Sequence, residues 1–472
     1  MASFLPQHLP LGLFSFHMPL KISRILHAGY VFECEGTAIA FDPIVENPFS
    51  RNCHAFPAVR FDLDAVRRLR WDAVFISHFH DDHCSLDSLD VLDRATPIYL
   101  YCVFDELFAM LRALGFTQVQ RLHVDVPVRV GAIEVTPRRA LDDDVDSLFQ
   151  VRAAGMHVLN VVDSWIGPET LEQLAALGPW DMVLWPFQTM REVAVIAPSL
   201  ATRGPVELPD DWVPQLRALA PRYLVPSSCQ FVQEDWSWYN HAMFPISYRR
   251  FAEEIGRALP EAHIFRLDPG TAVLLDAHGI TPAAPLPWVI PVGPQDVDFD
   301  YRPDAPPPAT ADIARHFAPL SEADTALVLD FCRHGLLERY RAMELPDDSY
   351  FQPPRLWRLA LYGHDGAATV LHYRTHGDLI DLVPDTGEAP GWTTEVPLVK
   401  CHAALVLGES LTSMYMRIND GDFDAATRAE LEEADIVDDP LIRCLFNDAI
   451  GAYQAAQLQR LVARPEGNGA TR

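Results

Sequence analysis

Basic residues are scarce in this 472-residue chain: 37 lysines and arginines stand against 65 aspartates and glutamates, a net charge of −28. Such an acidic surface repels phosphate backbones, which argues against a nucleic-acid partner and against nuclease activity. A small anionic substrate held by a few local arginines is not excluded. The eight cysteines are scattered, with no C-x-x-C pair and no dense framework. Structural zinc, iron-sulfur clusters and a disulfide-stapled secreted domain are therefore unexpected, and a reduced, cytoplasmic chain is the natural reading. Nowhere are there the roughly eighteen continuous apolar residues of a membrane span. The apolar start, MASFLPQHLPLGLFSFHMPL, lacks a basic flank and is interrupted by Pro6, Pro10 and Pro19, so it reads as an ordered lead-in or an arm packed on a neighbour. Glycine-rich nucleotide loops and flavin fingerprints are missing as well.

What is present begins with length. The chain exceeds the usual ceiling for one hydrophobic core, and two domains are expected. From Leu20, KISRILHAGYVFECEGTAIAFDP alternates apolar and polar residues around Glu35-Gly36 as a β-hairpin does, ending at Asp42-Pro43. His27, beside Gly29, reads as a buried structural histidine rather than a ligand. Then comes WDAVFISHFHDDH, residues 71 to 83. A buried apolar strand, Ala73 to Ile76, opens into His78-x-His80-x-Asp82-His83, four metal-ligand side chains within six residues. Residues two apart point the same way in extended chain, so His78 and His80 suit one ion, and Asp82 and His83 a second. Imidazole and carboxylate together leave the metal open.

Strands and helices alternate downstream, favouring an α/β layered domain over a helical bundle. Asp142, Asp143, Asp144 and Asp146 crowd a loop that composition alone would leave solvated, whereas Asp163 sits at the tip of an apolar strand, where a ligand or a cap belongs. The segment PSSCQFVQEDWSWYNHAMF carries Trp236, Trp238 and Tyr239 around His241, and with Trp165 reads as a pocket wall. Residues 281–310 are proline-rich, a linker or long wrapped connection. Residues 311–472 are expected to form an α+β accessory domain serving as lid, substrate grip or dimer contact, with no repeat or catalytic motif of its own. Its polar tail, ARPEGNGATR, is expected to be disordered.

His78-x-His80-x-Asp82-His83 after an apolar strand, with Asp42-Pro43 upstream and Asp163 downstream, resembles the metallo-β-lactamase superfamily. The HAGY, FDP and ISHFHDDH pieces are most similar to the branch containing ascorbate-6-phosphate lactonase and CMP-N-acetylneuraminate hydroxylase. The Rieske ligands of the latter are missing here. Over residues 1–280 the resemblance implies an αββα sandwich with a dinuclear metal site at one edge. His78 and His80 would bind the first metal, Asp82 and His83 the second, and Asp163 would bridge, with Asp163 and Asp82 also serving catalysis. The superfamily's histidine some twenty residues before the bridging aspartate is replaced by Asp143 or a neighbour, Asp142 or Asp144. Its last histidine is missing from Ser227, Ser228 and Cys229, leaving His241 as the substitute.

A carboxylate in place of imidazole makes the site harder and favours iron over zinc or manganese. Two function classes follow. One is a dinuclear iron oxygenase that takes O₂ and electrons from an external donor to oxidise a small molecule. The alternative is a zinc- or manganese-dependent hydrolase of a lactone, ester, amide or phosphoester. A decayed site in a binding or assembly protein is the non-enzymatic reading.

Overall fold

In the computed structural model, residues 18–463 are described, apart from 202, 203, 205, 422 and 447–449. The apolar lead-in up to residue 17 and the polar tail from 464 lie outside the described residues.

Two sheets face one another. The first has eight strands, in the order Gly279–Ala283, Ala272–Asp276, Leu20–Arg24, Tyr30–Cys34, Thr37–Phe41, Ala73–Ile76, Ile98–Leu100 and Val119–Arg121. The second has seven, in the order His263–Ile264, Pro221–Ser227, Trp180–Pro186, Met156–Asn160, Ser147–Ala153, Ile133–Arg139 and Val128–Val130. Side chains on a strand alternate between faces, and the sequence uses both. In the Ala73–Ile76 strand, Ala73 and Phe75 join the core between the sheets with Phe41, Phe149, Val151 and Met182, while Val74 and Ile76 join the outer core beneath the helices. A strand buried on both faces must be apolar throughout, which is why AVFI reads as a continuous run.

Thr37–Phe41, Ala73–Ile76 and Ile98–Leu100 run parallel in the first sheet, as do Met156–Asn160, Trp180–Pro186 and Pro221–Ser227 in the second. Parallel strands gather their carboxyl ends on one edge, the usual place for a site in such sheets. Here those ends carry Asp42, the His78–His83 loop, Asp163 and Ser228.

The proline-rich stretch wraps back rather than hanging free. Gly279–Ala283 completes a hairpin with Ala272–Asp276, Val289–Pro291 pairs with Val59–Phe61, and Trp288 packs against Trp71. Beyond it, a five-stranded sheet has the order Leu379–Val383, Ala368–His376, Arg355–Tyr362, Trp392–Pro397 and Arg417–Ile418. The apolar stretch from Val396 to Gly408 divides: a strand ends at Pro397, and a helix runs from Leu398 to Leu407. Val328, Cys332, Trp357 and Tyr373 of this part belong to the same apolar cluster as Trp212 and Phe251. No helix among the described residues is long and apolar enough to cross a membrane.

Candidate metal centre

The site is assembled around one buried carboxylate. Asp42, fully buried, accepts from the Ser77 backbone N–H at 2.8 Å with Oδ1 and from the Ser77 hydroxyl at 2.8 Å with Oδ2. Oδ2 also lies 3.1 Å from His83 Nδ1. A ring nitrogen facing a carboxylate keeps its proton, so Asp42 holds Nδ1–H and leaves His83 Nε2 at the strand edge as the nitrogen that would bind a cation. Ser77 Oγ stands 2.9 Å from His78 Nδ1 and aims His78 Nε2 the same way.

Two groups of donor atoms gather there, each group within 4.8 Å: His27, Asp82, His83 and Asp163 in one, and His78, His80 and Asp146 in the other. In the first, His83 Nε2 is 2.9 Å from Asp163 Oδ2 and 3.2 Å from His27 Nε2, which is itself 3.1 Å from Asp82 Oδ2. In the second, His78 Nε2 is 2.9 Å from His80 Nδ1, and Asp146 Oδ1 is 3.7 Å from His78 Nδ1. Asp163 faces both, with Oδ1 3.9 Å from His78 Nε2.

These residues fit cations. The buried oxygens Asp163 Oδ1 and Asp146 Oδ1 have no hydrogen-bond partner, and such atoms are costly unless something positive meets them. His27 and His83 also turn their Nε2 atoms toward each other, as do His78 Nε2 and His80 Nδ1, as ligands of a shared ion do. Without an ion, the strain shows as opposed titration. Burial would push His83 down, but Asp163 and Asp82 outweigh it and hold the ring well above its ordinary range. Burial and the neighbouring His83 and His80 push His78 well below. Asp163 and Asp82, which burial alone would raise, are pulled low chiefly by His83. Asp146 is raised to about 7 by burial and by Asp163.

His78, His80, Asp82, His83 and Asp163 thus come together, and three sequence expectations need correction. Asp143 stands away from the cluster: its carboxylate is ion-paired with Arg139 and half exposed, and Asp146, next to the Ser147–Ala153 strand, faces the donors instead. His241 is remote, its Nδ1 3.0 Å from the Asp300 carbonyl on the outer surface. Its expected place is taken by His27, read from the sequence as structural, which a positive φ of 49° at the hairpin turn carries into the first group. The neighbouring HAGY pattern was the available signal. Gly29 allows the fold of that turn, because a Cβ there would lie 2.7 Å from the Asp42 carbonyl.

The aromatic wall is also elsewhere. A cavity of about 570 Å³ opens over the donors, lined by His80, Asp81, Asp82 and Asp163 on the floor, Glu192 and Phe231 at one side, and Glu409, Leu445, Ile450 and Tyr453 from the C-terminal part. Trp165, Trp236, Trp238 and Tyr239 do not line it. Trp165 packs on Trp212, Trp236 stacks on His316 at 4.1 Å, Trp238 packs edge-on against Tyr239, and Tyr239 lies against Tyr415. Aromatic density here joins the C-terminal part to the sandwich, as buried apolar area usually does.

Neither a protein-family model nor a curated protein matches the sequence. Solved structures that it resembles include Igni18, a metallo hydrolase from Ignicoccus hospitalis KIN4/I, 18% identical with a TM-score of 0.39, covering 55% of this chain and 99% of that one. They include CmlA, a diiron β-hydroxylase from Streptomyces venezuelae, 18% identical with a TM-score of 0.38, covering 54% of each chain. YhfI, a metallo-β-lactamase fold protein from Bacillus subtilis, is 12% identical with a TM-score of 0.37, covering 54% of this chain and 99% of that one. The likeness spans about half of this chain and is one of fold. With paired sheets, flanking helices and a His-x-His-x-Asp-His loop at the carboxyl edge, the first part of this chain is an αββα sandwich.

Proposed function

We propose that this chain is a dinuclear metalloenzyme acting on a small molecule, with iron as the metal and oxidation as the reaction. The observation that carries the metal assignment is the convergence of seven side chains, three of them lining a cavity floor, with buried carboxylate oxygens left unpartnered. His27, Asp82, His83 and Asp163 would hold one ion, His78, His80 and Asp146 the other, and Asp163 would bridge them. Three carboxylates among seven donors make a harder, more anionic set than a zinc pair requires, which favours iron. Two ions bound there would supply Lewis acidity and, as iron, electron exchange with O₂.

The chain's own residues do the rest. Asp42 and Ser77 fix the tautomers of His83 and His78, so their lone pairs stay aimed as the substrate changes. Phe79, Phe231, Leu445 and Ile450 provide apolar wall that limits water near the floor. Among the described lining residues there is no lysine or arginine, while Glu192 adds a carboxylate beyond the donors. Glu192 accepts a 2.6 Å hydrogen bond from the Thr412 hydroxyl. A neutral or amine-bearing substrate with an apolar portion fits this lining better than a phosphate or carboxylate. Monooxygenation balances only with an external reductant: one oxygen atom enters the substrate and the other leaves as water, taking two electrons and two protons.

Metal analysis of protein purified from iron-supplemented cells tests this reading. About two irons per chain, with O₂ uptake that depends on added reductant, is the expected result. Zinc-loaded protein that cleaves model esters without O₂ would reassign the chain to hydrolysis.

A further inference from the structure

The Ala452–Val462 helix follows the metal loop by some 370 positions, yet it grips that loop directly. Gln454, 2% exposed, donates from Nε2 to the Phe79 carbonyl at 2.7 Å and to the Cys84 carbonyl at 2.8 Å. These two carbonyls bracket His80, Asp81, Asp82 and His83. A primary amide has two N–H groups in one rigid plane, so one side chain sets the separation of the loop's two ends. Three residues on, along the same helix face, fully buried Gln457 donates to the Ser85 hydroxyl at 2.9 Å and accepts from the Leu86 N–H at 2.7 Å. Arg460 reaches Asp87 Oδ2 at 2.8 Å. Within the loop, the backbone bonds among the described residues run from the His83 and Cys84 N–H groups to the His80 carbonyl, at 3.1 and 2.8 Å.

We infer that Gln454 is a positioning residue for the metal centre: from the C-terminal helix it holds the Phe79 and Cys84 carbonyls, and so fixes the spacing of His80, Asp82 and His83. The inference rests on the metal-centre reading above. The donor set is complete in residue type without the C-terminal part, but its geometry is held by it.

The test uses the full chain and its Gln454→Ala and Gln454→Glu variants. The glutamate keeps the shape of the side chain but loses the forked donor. Zinc and ferrous iron affinities are measured by competition with a chromogenic chelator, alongside the melting temperature of the metal-free protein. Both variants are expected to bind metal tenfold or more weakly, in the range for groups that orient ligands, and to melt lower when metal-free, because the Phe79 and Cys84 carbonyls lose their donors. Unchanged affinity in Gln454→Glu overturns the inference, as does a loss of stability with affinity intact. Should Gln454→Ala not fold, Gln454→Met, which keeps the volume, is read the same way. If the unaltered chain itself binds no metal, the metal-centre reading fails instead.

Discussion

His27 and Asp146 are the residues on which the candidate site turns, and neither could be chosen from spacing. A histidine 51 positions before the motif looks like any buried ring until the hairpin turn is built. In the acidic loop, four aspartates of the same chemistry differ only in which way a short turn faces them: Arg139 draws Asp143 outward, while Asp146 adjoins a strand and is held inward. The motif itself was legible because consecutive ligands in extended chain need only the period of two. Asp146→Ala and His27→Ala are accordingly expected to lower metal content measured by elemental analysis, and Asp143→Ala to leave it unchanged. Equal losses in Asp143→Ala and Asp146→Ala would reverse the assignment. His157 offers a separate test far from the centre. Burial, followed by Arg152 and Arg138, lowers its pKa from 6.5 to about 4, and its ring stacks on Trp180. The unfolded chain therefore binds the extra proton between those values, so stability rises with pH across that window and is lost as pH falls from 6.5 to about 4. A His157→Gln variant should melt with a shallower acid-side decline than the parent over that interval, and an unaltered slope would count against the shift.

At the scale of elements, a close join lies where the Leu398–Leu407 helix ends. Gly408 caps it at φ +64°, and a Cβ there would sit 2.3 Å from the Tyr453 nitrogen. Both the left-handed backbone and the approach of the next segment demand glycine. Gly408→Ala should cost at least about 1 kcal/mol from the backbone alone, read as a lower urea midpoint, and should weaken metal binding further if the Gln454 helix shifts with it. A neutral effect would mean that the two segments part without consequence. Sequence patterns found the Ala73–Ile76 strand in full, because an apolar run buried on both faces has little else to be. They misread the segment from Trp236 to His241, where aromatic side chains serve equally well as pocket wall and as packing between two parts of a chain; only the partners His316 and Tyr415, far along the sequence, decide between them.

For the whole molecule, the shared apolar cluster and the wrapped stretch around Trp288 predict one cooperative unfolding transition rather than two. Calorimetry of the metal-free chain should give a single peak whose calorimetric and van't Hoff enthalpies agree; two resolved peaks would contradict this. Net charge bears on the same scale. With −28 overall and no lysine or arginine among the described residues lining the cavity, the metal-free protein should bind cationic and neutral small molecules better than their carboxylate analogues, with the preference shrinking as salt is added. The two-domain expectation captured the change in composition but not the way the later part closes over the earlier one, since burial between distant segments leaves no local pattern.

That closure divides inheritance within the molecule. Every proposed metal donor comes from residues 27 to 163, while Glu409, Leu445, Ile450 and Tyr453 over the cavity come from beyond residue 400. On the proposed reading, all the ligands are written in one stretch of the gene, while part of the wall above them, facing Glu192 and Phe231, is written in another. Recombination or drift in the later stretch can alter what enters the cavity without touching a single ligand, provided that the glutamine pair facing the loop is kept.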